Sequence, residues 1–150
     1  MGKTAFIGYE TEDGTFVGGI QMFDGDSIAP ILNQCLTNPQ DIDTALRFGI
    51  WDNIIEKDNR SLAEMFAGQN GVVCRDIGCA YICTRDYSVS DVLNAPGFLR
   101  RTHGAFLFDS LDSVKKLSSN KMLNIQNIYI FDFGANKWSH HTCDKAGNWD

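Results

Sequence analysis

The residue types best suited to chemistry are scattered thiols and imidazoles. Cys74, Cys79 and Cys83 have four and three residues between them, and His140, His141 and Cys143 come much later. Together they offer enough ligand types for a tetrahedral zinc ion. The spacing argues against one. No Cys-x2-Cys pair supplies a knuckle, and Cys79 and Cys83 on one strand would point the same way, a poor bite. Free Cys behaving as small hydrophobes explains the set more simply. Cys79 or Cys83 could pair with His103 or His140 as nucleophile and base, but no local signature joins them. No metal, no cofactor and no catalytic residue is therefore expected.

Two charged groups come next. Asp24 and Asp26 flank Gly25 just ahead of a helix pattern, where capping and the helix dipole explain carboxylates as well as acid–base work does. Arg100-Arg101, with Phe98, His103 and Phe106 close by, could give a nucleic acid both charge and stacking. Two adjacent Arg on a loop are more simply solvated. Gly18-Gly19 lacks the Gly-Lys-Ser/Thr helix start that phosphate binding needs.

The totals limit the function classes. A chain of 150 residues fits one domain and can bury a core without staples. Through Arg60 there are ten acids against four bases, and from Ser61 onward nine against nine, so the formal charge of −6 sits in the first part of the chain. Such an acidic half disfavours nucleic acid or an anionic membrane and suits a basic protein partner, with simple solubility as the plainer reading. Five Cys without scaffold spacing and an N-terminus without an apolar signal stretch predict reduced thiols in a cytoplasm. No apolar run approaches the roughly 18 residues of a membrane span.

The elements that must position these residues are most legible from Gly18 to Gly49. Thr4–Tyr9 and Thr15–Phe23 read as strands joined by a turn at Asp13-Gly14, since Asp-Gly tolerates the positive φ of a tight hairpin. Gly18 and Gly19 inside the second strand predict a bulge or a close backbone approach. Ile28, Ile31, Leu32, Cys35 and Leu36 keep one apolar helical face, capped by Asp26 or Ser27, with Pro30 in the first turn and Asn38-Pro39 as the stop. Ile42, Ala45 and Leu46 begin a second helix that ends at Gly49. Residues 50–55 read as a strand or a buried loop, and Leu62, Met65 and Phe66 as a short helix. Cys79–Thr84 reads as a buried strand, Val89–Leu93 and Leu111–Leu117 as helices capped by Ser88 and by Asp109 or Ser110. Gly104–Phe108 is ambiguous. Ile125–Phe133 and Lys137–His141 form a closing hairpin, and residues 144–150 are expected to fray. The order predicts a single α+β domain over residues 1–150, an antiparallel sheet with N- and C-terminal hairpins and helices packed on one face.

Asp13-Gly14, Phe23-Asp24-Gly25, Leu46 to Gly49, Arg85-Asp86, Tyr129 to Asp132 and Lys137-Trp138 together resemble a group of small, uncharacterised bacteriophage proteins. That group has an Asp-Gly hairpin, an aromatic-Asp-Gly turn, a helix with a Leu-x-x-Gly end, an Arg-Asp pair and a closing Lys-Trp strand. The resemblance spans most of residues 4–140 in motifs of two to four residues. It departs at Asp26-Ser27, where the group has Tyr-Pro, and at Tyr87-Ser88, where the group has an acid. It implies a viral accessory protein in the cytoplasm of an infected host cell, and no reaction.

The leading expectation is a non-enzymatic phage protein that binds and modulates or inhibits a host protein, a defence protein among the candidates, through an acidic surface. That surface would be Asp24, Asp26, Asp41 and Asp43, with Trp51 as its aromatic anchor. The alternative is a protein that sequesters a nucleotide or signal molecule in a pocket lined by Arg85, Arg100 or Arg101 and aromatic residues. A small metal- or Cys-dependent hydrolase is the third.

Overall fold

The computed structural model describes residues 4–56, 72–74, 79–83 and 87–150. The helix expected at Leu62–Phe66 lies outside them. Strands β1 (Ala5–Glu10) and β2 (Phe16–Gln21) form the N-terminal hairpin. Strands β9 (Asn127–Asp132) and β10 (Lys137–Thr142) form the C-terminal one. The hairpins join through a parallel pairing of β1 with β9. On the other side of β2, its first half pairs with β8 (Ala105–Phe108) and its last two residues with the two-residue strand β3 (Ile50–Trp51). β7 (Phe98–Thr102) completes the order β10-β9-β1-β2-β8-β7. A second, three-stranded sheet joins β4 (Asn53–Glu56), β6 (Cys79–Cys83) and β5 (Val72–Cys74). The fold is α+β and its main sheet mostly antiparallel, as the element order predicts.

Helices cover both faces of that sheet, where one was expected. Helices α1 (Ala29–Cys35) and α2 (Pro39–Leu46) close one core with Ala5, Ile7, Val17, Tyr129 and Phe131. Helices α3 (Ser90–Leu93) and α4 (Leu111–Lys115), the latter continued by a 3-10 turn, close the other with Phe6, Phe16, Ile20, Phe106 and Ile128. The reason lies in the strands: Ala5-Phe6-Ile7, Ala105–Phe108 and Ile128–Phe131 are apolar at successive positions, not alternate ones. A strand that is apolar on both sides must be buried on both.

Between Gly18 and Gly49 the reading holds with changes. Gly18 and Gly19 serve close approach rather than a bulge, since the β1–β2 register runs unbroken. A Cβ on Gly18 would stand 2.5 Å from the Phe6 ring, and one on Gly19 would meet the Trp51 indole. Helix α1 has Ile28 as its N-cap with no side-chain bond, and Ser27 turns back to donate to the Asp24 carbonyl at 3.2 Å. Asn38 does cap, but for α2: its side chain accepts from the Gln40 and Asp41 amides while Pro39 takes the first position. Trp138 of β10 fastens α1 to the sheet. Its indole N–H donates to the Leu36 carbonyl at 2.7 Å, and its amide to the Asn33 side chain at 2.9 Å.

Residues 144–150, expected to fray, make local contacts. The Asp144 carboxylate accepts from the Ala146 and Asn148 amides, both at 2.9 Å. Trp149 bridges to Cys143 and its indole donates to the Lys115 carbonyl at 3.1 Å. A local turn around Asp144, with Gly147 at positive φ, gives the tail the aromatic anchor that a count of polar residues hides.

Candidate functional site

The Asp24 turn is a joint between strands. Trp51 donates to buried Gln21 at 3.2 Å, Gln21 donates to Asn53 at 3.1 Å, and Asn53 donates to the Asp24 carboxylate at 3.0 Å. Asp24 sits in the left-handed region at φ 58, which Asp tolerates better than most residues. Trp51 is 0% exposed, so it cannot be the surface anchor expected of it. Burial follows from its place on β3, beside β2 and facing Gly19. Asp52, an acid inside the apolar run 50–55, is also buried and accepts a hydrogen bond from the Tyr87 hydroxyl.

The four expected acids do not share one face. Asp24 and Asp26 follow the end of β2, which pairs with the start of β1. Asp43 accepts from the hydroxyl of Tyr9, at the far end of β1, at 2.6 Å. Burial, then the hydrogen bond and charge of Asp43, raise the Tyr9 pKa well above its ordinary value. Asp26 is exposed, and its charge acts on Tyr129 and His140. Burial pushes the Tyr129 hydroxyl up to about 12; the Ile28 amide partly offsets this and the Asp26 charge adds to it. Asp41 stands in the first turn of α2, where the dipole favours it.

The arginines do not converge. Arg100 and Arg101 lie on strand β7, not on a loop, and successive strand side chains turn to opposite faces. Arg101 donates to the Gly104 carbonyl at 2.5 Å and covers the Phe106 ring, 4.8 Å from its centroid. Arg100 lines a cleft on the other side with Tyr9, Asp13 and Thr102. Arg85 lies outside the described residues.

His140 stacks on Tyr129 with centroids 4.1 Å apart and bonds Asn127 at 2.9 Å, and burial lowers its pKa. His141 lies 3.8 Å from Asp150. The side chains of Cys74, Cys79 and Cys83 are outside the described set. Among the described residues, no group of three or more His, Cys, Asp or Glu is placed to hold a metal ion.

One surface that the sequence reading passed over combines acid with an aromatic. Phe133, just past β9, is 48% exposed and is held edge-on by Tyr9 and Phe131 at 5.2 and 5.1 Å. Exposed Glu10, Glu12 and Asp132 line the same shallow cleft. None of the three has a basic side chain within ion-pair distance among the described residues, although Lys137 is the register partner of Asp132. Asp13 at the neighbouring turn has a pKa of about 2, held down first by hydrogen bonds from Thr11 and then from Thr15. The signal in the sequence was Phe133 itself, an aromatic in a polar turn after an apolar strand.

Compared with protein-family models, curated proteins and solved structures, the chain shows no match. Among the described residues, no helix is long and apolar enough to cross a membrane.

Proposed function

We propose that this is a non-enzymatic binding protein that contacts a basic surface of another protein through Phe133, Glu10, Glu12 and Asp132. The observation that carries the reading is the half-exposed Phe133 ring, fixed by two aromatic neighbours and surrounded by carboxylates that have no basic partner among the described residues. An anchor already held in place loses little freedom on binding, and the acids supply steering and register. The phage-protein resemblance supports a host-cell protein as the partner and the host cytoplasm as the place. The bound host protein would be modulated or inhibited by occupancy alone, without chemistry.

The experiment is capture from a bacterial lysate on the immobilised protein. One protein should be retained, released by salt, and lost with a Glu10→Lys/Glu12→Lys variant. Retention unaffected by both salt and charge reversal would exclude the acidic face. Asp26→Lys/Asp41→Lys, which alters charge away from this patch, should leave capture unchanged.

A further inference from the structure

A third, smaller cleft lies between α2 and the β7–β8 turn, with a volume of about 120 Å³. Val17, Leu46 and Ala105 give it an apolar floor, and Asp43, Arg47 and Thr102 bring polar groups to it. Its walls are tightly joined. His103 and Gly104 both have positive φ, the two-residue hairpin loop, and a Cβ on Gly104 would collide with the Arg47 carbonyl. The turn therefore abuts the end of α2.

Two features point to a ligand. Asp43 and Arg47, the C-cap of α2, are four residues apart in the order that can form an ion pair along a helix. They form none: no Asp43–Arg47 contact lies within ion-pair distance, and Asp43 is drawn instead to the Tyr9 hydroxyl. An exposed carboxylate and an exposed guanidinium thus edge one pocket without pairing with each other. The second feature is the Thr102 hydroxyl, which is buried and has no hydrogen-bond partner among the described residues. A buried polar atom left unsatisfied is a standing cost that a bound polar group removes.

We infer that this cleft binds a small zwitterion of amino-acid size, its ammonium on Asp43, its carboxylate on Arg47 and its apolar part over Val17, Leu46 and Ala105. The Thr102 hydroxyl takes one of the remaining hydrogen bonds. Asp43 can serve Tyr9 with one oxygen and the ligand with the other. The cleft and the Phe133 patch share Tyr9, whose ring holds Phe133 and whose hydroxyl holds Asp43, but the two readings rest on different observations.

The test is a thermal-shift panel of the proteinogenic amino acids at millimolar concentration, with methylammonium chloride, sodium acetate and inorganic phosphate as single-charge probes. At least one amino acid should raise the melting temperature by several degrees while the single-charge probes do not. By calorimetry, Arg47→Gln and Asp43→Asn should each weaken that amino acid at least about tenfold. Arg47 is exposed, so Arg47→Gln should melt as the parent does without ligand. Tyr9→Phe should also weaken binding, by freeing Asp43 to pair with Arg47. A flat amino-acid panel, an affinity unchanged in Arg47→Gln, or an equal shift with phosphate alone would each overturn the inference.

Discussion

Replacing Gly19 by Ala tests the joint around which the first 53 residues are arranged. The added Cβ would meet the Trp51 ring and stand 2.9 Å from both Trp51 Cη2 and the Gly49 carbonyl oxygen. Ordinary carbon contacts are about 3.5–4.0 Å, so something must move by roughly an ångström. Neither neighbour can yield easily. The Gly49 carbonyl accepts from the Ile20 amide at 2.7 Å, and Trp51 is buried and tied to Gln21. Overpacking of this kind costs about 1–3 kcal/mol, and the lower chain entropy of Ala returns about 0.4–1 kcal/mol. A net loss of about 1.3 kcal/mol lowers the melting temperature of a domain this size by about 3–5 °C. Thermal and urea unfolding followed by Trp fluorescence would read it. Gly14→Ala is the control: its φ is +86 but nothing lies within 4 Å, so only backbone strain is felt. In a Trp51→Leu background the Gly19→Ala cost should shrink, because the two changes share one contact. A neutral Gly19→Ala, or a cost equal in both backgrounds, would refute the close-approach account.

Two further outcomes follow from the same geometry. Trp138→Phe strips the donor from the Leu36 carbonyl and should cost about 1–3 kcal/mol in urea unfolding, loosening α1 from β10. The raised pKa values of Tyr9 and Tyr129 predict alkaline sensitivity. For a raised pKa the stabilising difference is fully present below the unfolded value of about 10 and is lost as pH climbs through the folded value. Melting temperature should therefore fall above about pH 10, and less steeply in Tyr9→Phe.

Both hairpins and the helices from Ile28 to Leu46 were legible because their patterns are local. Asp13-Gly14 gives the turn, and one apolar stripe gives each helix. Covering both sheet faces was also written in the chain, in Ala5-Phe6-Ile7 and Ala105–Phe108, but only as the absence of alternation. Trp51 was misjudged because its burial depends on a partner strand thirty residues earlier that offers Gly19 opposite its ring. Arg100 and Arg101 looked like a cluster because adjacency in sequence becomes opposition on a strand. Asp43 and Tyr9 are far apart in the chain, and only the packing of α2 against β1 brings them together. The acidic surplus was countable; its division between two ends of the sheet was not.

The central claim is that Phe133 and its surrounding acids form the contact face. The most direct measurement is the affinity of the captured partner for the parent protein, for Phe133→Ala and for Glu10→Lys/Glu12→Lys. A hot-spot aromatic contributes about 2 kcal/mol or more, so Phe133→Ala should weaken binding roughly thirtyfold, and the charge reversal should weaken it most at low salt. Affinities unchanged in both variants, with the fold intact, would contradict the account.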